Sequence, residues 1–466
     1  MSRFGHHWRT VSGVVGGFTA GAAVSVFLLR HFDKPVPVTA AATAAATPAD
    51  QLLRTQTRAP ASTAPASARE GDVPPSVVPS ASRYEAAVRT CRELVRQTKE
   101  EMGIPGVCVA VNVNGKTVWT EGFGYADVEN AVPCTPNTVM RIASISKSIT
   151  MAALARLWER GLVDLDQPVQ HYVPNFPQKS FDGEPVEITT RMLVSHLSGI
   201  RHWKGGESTD PPDSSVVPEF YMNTKFKSVE DALSVFQDDD LIHKPGTTYL
   251  YSSPAWTLIS AVMEKAAGTP YRDLMLDLFN QLGLRNTRLD LNDVLTPNRS
   301  RYYVRNKHGR LINSPSVDNS CKWAGGGLQS TVGDLVKFGD AMLYCYQGGP
   351  SGYLKKDTID ALWTVTPHTI KAPKSLAPTS GYGMGWVVTP ELTHFGGVEP
   401  QTLSVNHTGG AVGASSILFI DPQPTNDQIA PSGITVAIIV NMQSVGLTRL
   451  AREISKCFLN SKQHLL

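Results

Sequence analysis

The chain lacks the features that announce metal, redox or polyanion chemistry. Its six cysteines, Cys91, Cys108, Cys134, Cys321, Cys345 and Cys457, are scattered over 466 residues. There is no Cys-x-x-Cys pair and no histidine cluster, so no zinc or dithiol centre is expected. Buried free thiols are the expected state of these residues. Lys and Arg number 43 against 41 Asp and Glu, a net charge of +2. So even a balance supplies no field for nucleic acid or another charged polymer. Internal repeats and heptads are also missing, which excludes solenoids and long coiled coils.

The first thirty residues hold no Asp or Glu. Within them Val11 to Leu29 is uncharged and flanked by Arg3, Arg9 and Arg30. Such a run can just span a bilayer, although many of its residues are Gly, Ala, Ser or Thr. Three readings fit: a membrane anchor, a secretory signal ending near Thr39-Ala40-Ala41, and a mitochondrial targeting segment. A cysteine near the end of the run would mark a bacterial lipoprotein, and none is there. Residues 1–34 are therefore read as a targeting or membrane segment. Pro35 to Ser82 is rich in Ala, Pro, Ser and Thr. It cannot repay the entropy of ordering, and residues 35–83 are expected to form a flexible tether.

From Tyr84 the pattern becomes that of a folded domain, taken as residues 84–460. Ala86 to Met102 has an amphipathic period and predicts a helix. Val107 to Val113 alternates, Asn114-Gly115 signals a two-residue hairpin, and Lys116 to Phe123 returns. Residues 164–374 read as mostly helical, with helices expected at Ile188 to Leu197, Val229 to Phe236, Ala255 to Ala267, Tyr271 to Leu282 and Val332 to Tyr344. Arg201 to Lys227 is polar and too long for a simple connector, so a lid or a disordered insertion is expected. Strands are expected at Gly383 to Val388, Ala414 to Ile420 and Ile434 to Asn441, with a closing helix from Leu447 to Leu459. Strands at both ends with helices between imply a discontinuous α/β (α+β) domain carrying a helical insert.

The chemistry is sought in Arg141-Ile142-Ala143-Ser144-Ile145-Ser146-Lys147. Apolar residues at helical spacing follow, and Gly161 is a natural stop. Ser144 then sits at a helix start, with Lys147 one turn on along the same face. Unpaired N–H groups at such a start favour an alkoxide, and a nearby amine can take the serine proton. Alone, the motif also fits a capped helix with a surface lysine. Two further stretches accompany it. Tyr251 lies in Tyr-x-Ser with Ser253, at a loop-to-helix junction. His407-Thr408-Gly409-Gly410 precedes an expected strand, and its glycines let a backbone approach a ligand.

Ser-x-x-Lys, Tyr-x-Ser and His-Thr-Gly in that order resemble the serine β-lactamase and penicillin-binding family. Gly122 to Asp127, Leu193 to Ile200 and Trp323 to Gly327 are similar too. The likeness spans about Tyr84 to Phe458 and is strongest to the animal mitochondrial serine β-lactamase-like branch. It implies a β-lactamase/transpeptidase-like fold, an antiparallel sheet flanked by helices with a mostly helical insert. It implies Ser144 as acylating nucleophile, Lys147 as proton acceptor or relay, and Tyr251 as their partner. The N–H groups of Ser144 and Gly410 would hold an oxyanion, with His407, Thr408, Gly409 and Ser253 lining the substrate site. Many members carry Asn where Ser253 stands and Lys where His407 stands. These departures point away from β-lactam hydrolysis and toward a peptidase or esterase. A histidine titrating near neutrality would hold a substrate carboxylate less firmly at high pH. The resemblance further implies a peptide substrate, no cofactor or metal, homo-oligomers or filaments, inner-membrane association, an intermembrane-space location and an influence on lipid metabolism. Two alternatives stand beside it: a bacterial-envelope esterase or D-amino-acid hydrolase, and a self-associating structural protein with little catalysis.

Overall fold

The computed structural model describes residues 83–205, 218–370, 380–391, 402–425 and 429–463. The expected targeting run and almost all of the tether lie outside these residues, as does much of the Arg201 to Lys227 loop. Among the described residues no helix is long and apolar enough to cross a membrane.

One antiparallel sheet organises the molecule. Its strands are β1 (Gly106–Val113), β2 (Lys116–Asp127), β3 (Val132–Pro133), β4 (Gly381–Tyr382), β5 (Val387–Thr389), β6 (Ser404–Ala411), β7 (Ala414–Pro422) and β8 (Gly433–Val440). Their order across the sheet is β4-β5-β6-β7-β8-β1-β2-β3. The first and last parts of the chain thus meet where β1 pairs with β8, Val109 facing Ile438. The hairpin joining β1 to β2 turns at Asn114 and Gly115, both with positive φ, as the Asn-Gly pair requires.

Every residue of β1, β7 and β8 is buried except Pro422, so both faces of the central sheet are covered. The strand period of two sorts the side chains between two cores. Val107, Val109, Val111 and Val113 join Ile417, Phe419, Ile434, Val436 and Ile438 on one face, under α1 (Glu85–Met102) and α7 (Thr448–Gln463). Cys108, Ala110, Leu418, Ile420, Ala437 and Ile439 face the other way. There they meet α2 (Ile145–Glu159), α3 (Pro254–Ala267), α4 (Tyr271–Gln281), α5 (Val332–Tyr346) and α6 (Lys356–Leu362). The two kinds of helix differ in pattern as their positions demand. In α1 the buried residues Ala87, Cys91 and Val95 recur at four-residue spacing, leaving a solvated face. In α2 twelve residues are buried, including Ile145, Ile149, Leu154 and Leu157, because the sheet and α3 enclose it.

Several expectations need correction. The expected helix over Ile188 to Leu197 is only Thr190–Val194, begun by a Thr189 side-chain cap and ended where His196 takes φ +59°. The single strand expected at Gly383 to Val388 is instead two, β4 and β5, folded back at Gly385 with φ +76°. The sequence reading placed no strand on Ser404–Ala411, yet β6 lies there in full register with β7.

Candidate active site

Ser144 occupies the residue that caps α2, and its side chain makes no capping hydrogen bond. The hydroxyl turns instead to Lys147, whose Nζ donates to it at 3.0 Å. The ammonium also donates to Ser253 Oγ at 3.0 Å and to the Gly325 carbonyl. Lys147 is fully buried, and its Nζ stands 4.8 Å from the centroid of the Tyr251 ring. Three stretches that lie far apart in sequence therefore converge on one nitrogen. α2 supplies the lysine, the start of α3 supplies Ser253, and the short helix Trp323–Gly326 supplies the carbonyl.

The turn that presents Ser144 is held under strain and from several sides. Ala143 adopts φ +50°, an uncommon conformation for a residue with a β-carbon. The Ile142 amide donates to the Leu328 carbonyl at 3.0 Å, and its carbonyl accepts from Ser416 Oγ at 2.7 Å. Arg141, nearly inaccessible, pairs with buried Asp290 at 2.7 Å and donates to the Val412 carbonyl at 2.9 Å. Asp290 also accepts from Asn319 and Gln329. Removing one partner of such a pair leaves an uncompensated buried charge, which is why this node fixes geometry.

β6 forms the opposite wall. Gly409 lies against the serine turn: a β-carbon there would stand 2.4 Å from the Ile142 carbonyl oxygen and 2.2 Å from Ser416 Oγ. Gly410 has open space beside it and, with Ser144, lines a narrow cleft. The same cleft is lined by Ser253, Lys322, Trp203 and Phe220. Thr408 is exposed and Gly409 buried, as strand alternation dictates. β5 pairs with β6 only over Ser404 to Asn406. Among the described residues no strand covers the His407 to Ala411 stretch on that side.

His407 is buried and does not behave as expected of a surface imidazole. Its Nδ1 lies 2.7 Å from the Thr408 carbonyl, which can only accept, so Nδ1 carries the hydrogen. Nε2 then accepts from the Tyr382 hydroxyl at 2.9 Å. Burial, and then the Lys147 charge, push the His407 pKa down to about 3. The ring is neutral throughout the physiological range and carries no charge for a substrate carboxylate. The expected loss of carboxylate binding at high pH is corrected accordingly.

The sequence reading assigned no role to His196, although it falls in the quoted Leu193 to Ile200 phrase. Its ring centroid is 4.3 Å from that of Tyr251 and 4.7 Å from that of Tyr382. The Ser252 amide donates to its Nδ1 at 3.1 Å. Burial and the Lys147 charge hold His196 neutral as well. Also unassigned were Trp203 and Phe220, which flank residues 206–217. Arg201 ties the two flanks together, reaching Glu219 at 2.7 Å and Asp239 at 2.5 Å. These residues carry no catalytic motif, so only tertiary proximity brings them to notice.

Among the described residues no group of three or more His, Cys, Asp or Glu side chains could hold a metal ion. The family model described as Beta-lactamase matches residues 91–454. The chain belongs to the β-lactamase family. The family's serine β-lactamase-like branch contains its similar curated relatives. The mouse protein named serine beta-lactamase-like protein LACTB, mitochondrial, is 43% identical over 81% of this chain and 81% of its own length. The human protein of the same name is 43% identical over 82% of each chain. Among solved structures, the octameric penicillin-binding protein homologue from Pyrococcus abyssi has the same fold. Its TM-score is 0.62 at 24% identity, covering 81% of this chain and 78% of that one.

Proposed function

We propose that this chain is a mitochondrial serine hydrolase that cleaves peptides through a covalent acyl-serine intermediate. The observation carrying this reading is the buried Lys147 Nζ, 3.0 Å from both Ser144 Oγ and Ser253 Oγ. Ser144 Oγ attacks the substrate carbonyl while Lys147, in its neutral amine form, takes the serine proton, directly or with Tyr251 and Ser253 as relays. The backbone N–H groups of Ser144 and Gly410 receive the developing oxyanion, worth roughly 3–4 kcal/mol per donor in other acyl enzymes. Collapse of this intermediate breaks the peptide C–N bond, the leaving amine takes the proton held by Lys147, and water then hydrolyses the Ser144 ester. A peptide substrate is supported by the uncovered edge of β6 beside Gly410, where an extended chain can add as a strand. The mitochondrial assignment rests on the names of the mouse and human relatives.

Labelling with a fluorophosphonate probe tests the acyl-serine step. Wild type is expected to gain one adduct on Ser144, and Ser144→Ala none. Equal labelling of both proteins sinks the reading. Self-association, with inner-membrane contact and an effect on lipid metabolism, is proposed beside it. The physical feature favouring association is the loop tip at Val294 and Leu295, the latter 96% exposed. Sedimentation over a hundredfold concentration range is expected to show assembly. A constant monomer would remove that idea.

A further inference from the structure

The stretch carrying Tyr251 and Ser253 has no regular structure of its own. Between Gly246 and the start of α3 the described chain forms neither helix nor strand. Its backbone groups must therefore find partners elsewhere. They find them on the segment from His196 to His202. The His196 carbonyl accepts from the Leu250 amide at 2.9 Å, and its ring Nδ1 accepts from the Ser252 amide at 3.1 Å. His202 Nδ1 accepts from the next amide, that of Ser253, at 3.2 Å. Between the two, the Arg201 carbonyl accepts from Ser252 Oγ at 2.8 Å. Tyr251 is bracketed as a result. His196 holds the backbone on both sides of it, and the His196 and His202 ring centroids lie 4.3 and 5.6 Å from that of the phenol.

An imidazole accepts at Nδ1 only when that nitrogen carries no hydrogen. In neutral His196 the hydrogen then sits on Nε2, which is buried and has no hydrogen-bond partner among the described residues. The same residue holds φ +59° despite its β-carbon. His196 thus combines an unpaired buried donor with an unfavourable backbone. Costs of this kind gather at functional sites, where the surroundings over-determine the geometry. We infer, on the acyl-serine reading above, that His196 and His202 are positioning residues for the reactive centre. They act through the loop. By fixing the amides of Ser252 and Ser253 they set Ser253 Oγ 3.0 Å from Lys147 Nζ and the Tyr251 ring centroid 4.8 Å from it. Without either acceptor an amide is left unpaired and the loop is free to shift. A displacement of about 1 Å at a reacting centre costs about a hundredfold in rate. Asparagine separates the hydrogen bond from the bulk of the ring. Its Oδ1 stands where Nδ1 stands and accepts in the same way, and it tolerates the left-handed backbone at position 196. Leucine has a similar size and no acceptor.

The test is the rate at which a fluorophosphonate probe labels Ser144 in the full chain, followed against probe concentration. His202 is only partly buried, so its variants are expected to fold, which thermal unfolding checks. His202→Leu should lower the limiting rate at saturating probe about tenfold and leave the half-saturating concentration unchanged. His202→Asn should bring the limiting rate back to within about threefold of wild type. His196→Asn should likewise label about tenfold faster than His196→Leu. A merely structural role would lower the melting temperature and leave the labelling rate of the folded protein alone. Wild-type rates in both His202 variants, or equal slowing by leucine and asparagine, would overturn the inference while the labelled wild type left the acyl-serine reading standing. An unlabelled wild type would remove both.

Discussion

At position 407 burial decides what a histidine can do. Its ring is enclosed between Tyr382, Tyr251 and the β6 backbone, within the field of Lys147. The folded state binds its proton far less readily than the unfolded chain, where the ordinary value near 6.5 applies. Stability from this residue is therefore present above pH 6.5 and is lost as pH falls toward about 3. His196 acts in the same direction. For His407 the slope is up to about 1.4 kcal/mol per pH unit in that interval. Melting temperature measured from pH 7 to pH 4 should fall steeply, and His407→Gln should flatten the curve. A wild-type curve level down to pH 4 would contradict the assignment. Asp340 shows the opposite case. Burial raises its carboxyl to about 6, although Asn112 and Thr435 both donate to it. Its folded pKa exceeds the unfolded one, so stability is fully present below pH 3.8 and declines as pH rises through 6. Asp340→Asn should gain about 1–2 kcal/mol at pH 7.5 and much less at pH 4, read by urea titration.

Among the elements, β6 was the hardest to foresee, and the reason is physical. Ser404 to Ala411 is polar and glycine-rich, with two glycines where strand propensity would ask for bulk. What holds it extended is tertiary: seven residue pairs with β7 and the pressure of the serine turn against Gly409. By contrast β1, β2, β7 and β8 were legible because alternation and the Asn-Gly turn are local signals. So were α1, α2, α3 and α5. At the site, the Ser144 and Lys147 pairing could be read from spacing along one helix. Lys147's contacts with Ser253 and Gly325 join stretches more than a hundred residues away, which no local pattern encodes. The same logic gives a prediction for the strand. Gly409→Val should push β6 off the serine turn and slow probe labelling of Ser144 by about a hundredfold, while far-ultraviolet dichroism stays native. Labelling at the wild-type rate would show that the close approach has no bearing on the site.

Across the whole molecule, the Arg141–Asp290 pair joins the serine turn, the middle of the chain and the β6–β7 corner at Val412. Asp290→Asn should cost about 3–5 kcal/mol of stability, measured by denaturant unfolding, because Arg141 keeps its buried charge. A loss under 1 kcal/mol would mean that Val412 and Tyr302 suffice for the guanidinium. A different kind of junction lies at Arg201. Its guanidinium grips Glu219 and Asp239, and so pins the Trp203 and Phe220 flanks of the cleft independently of residues 206–217. The clamp is closed by side chains on the two flanks themselves, so the mouth of the cleft at Trp203 and Phe220 is set by charged residues that belong to no catalytic motif.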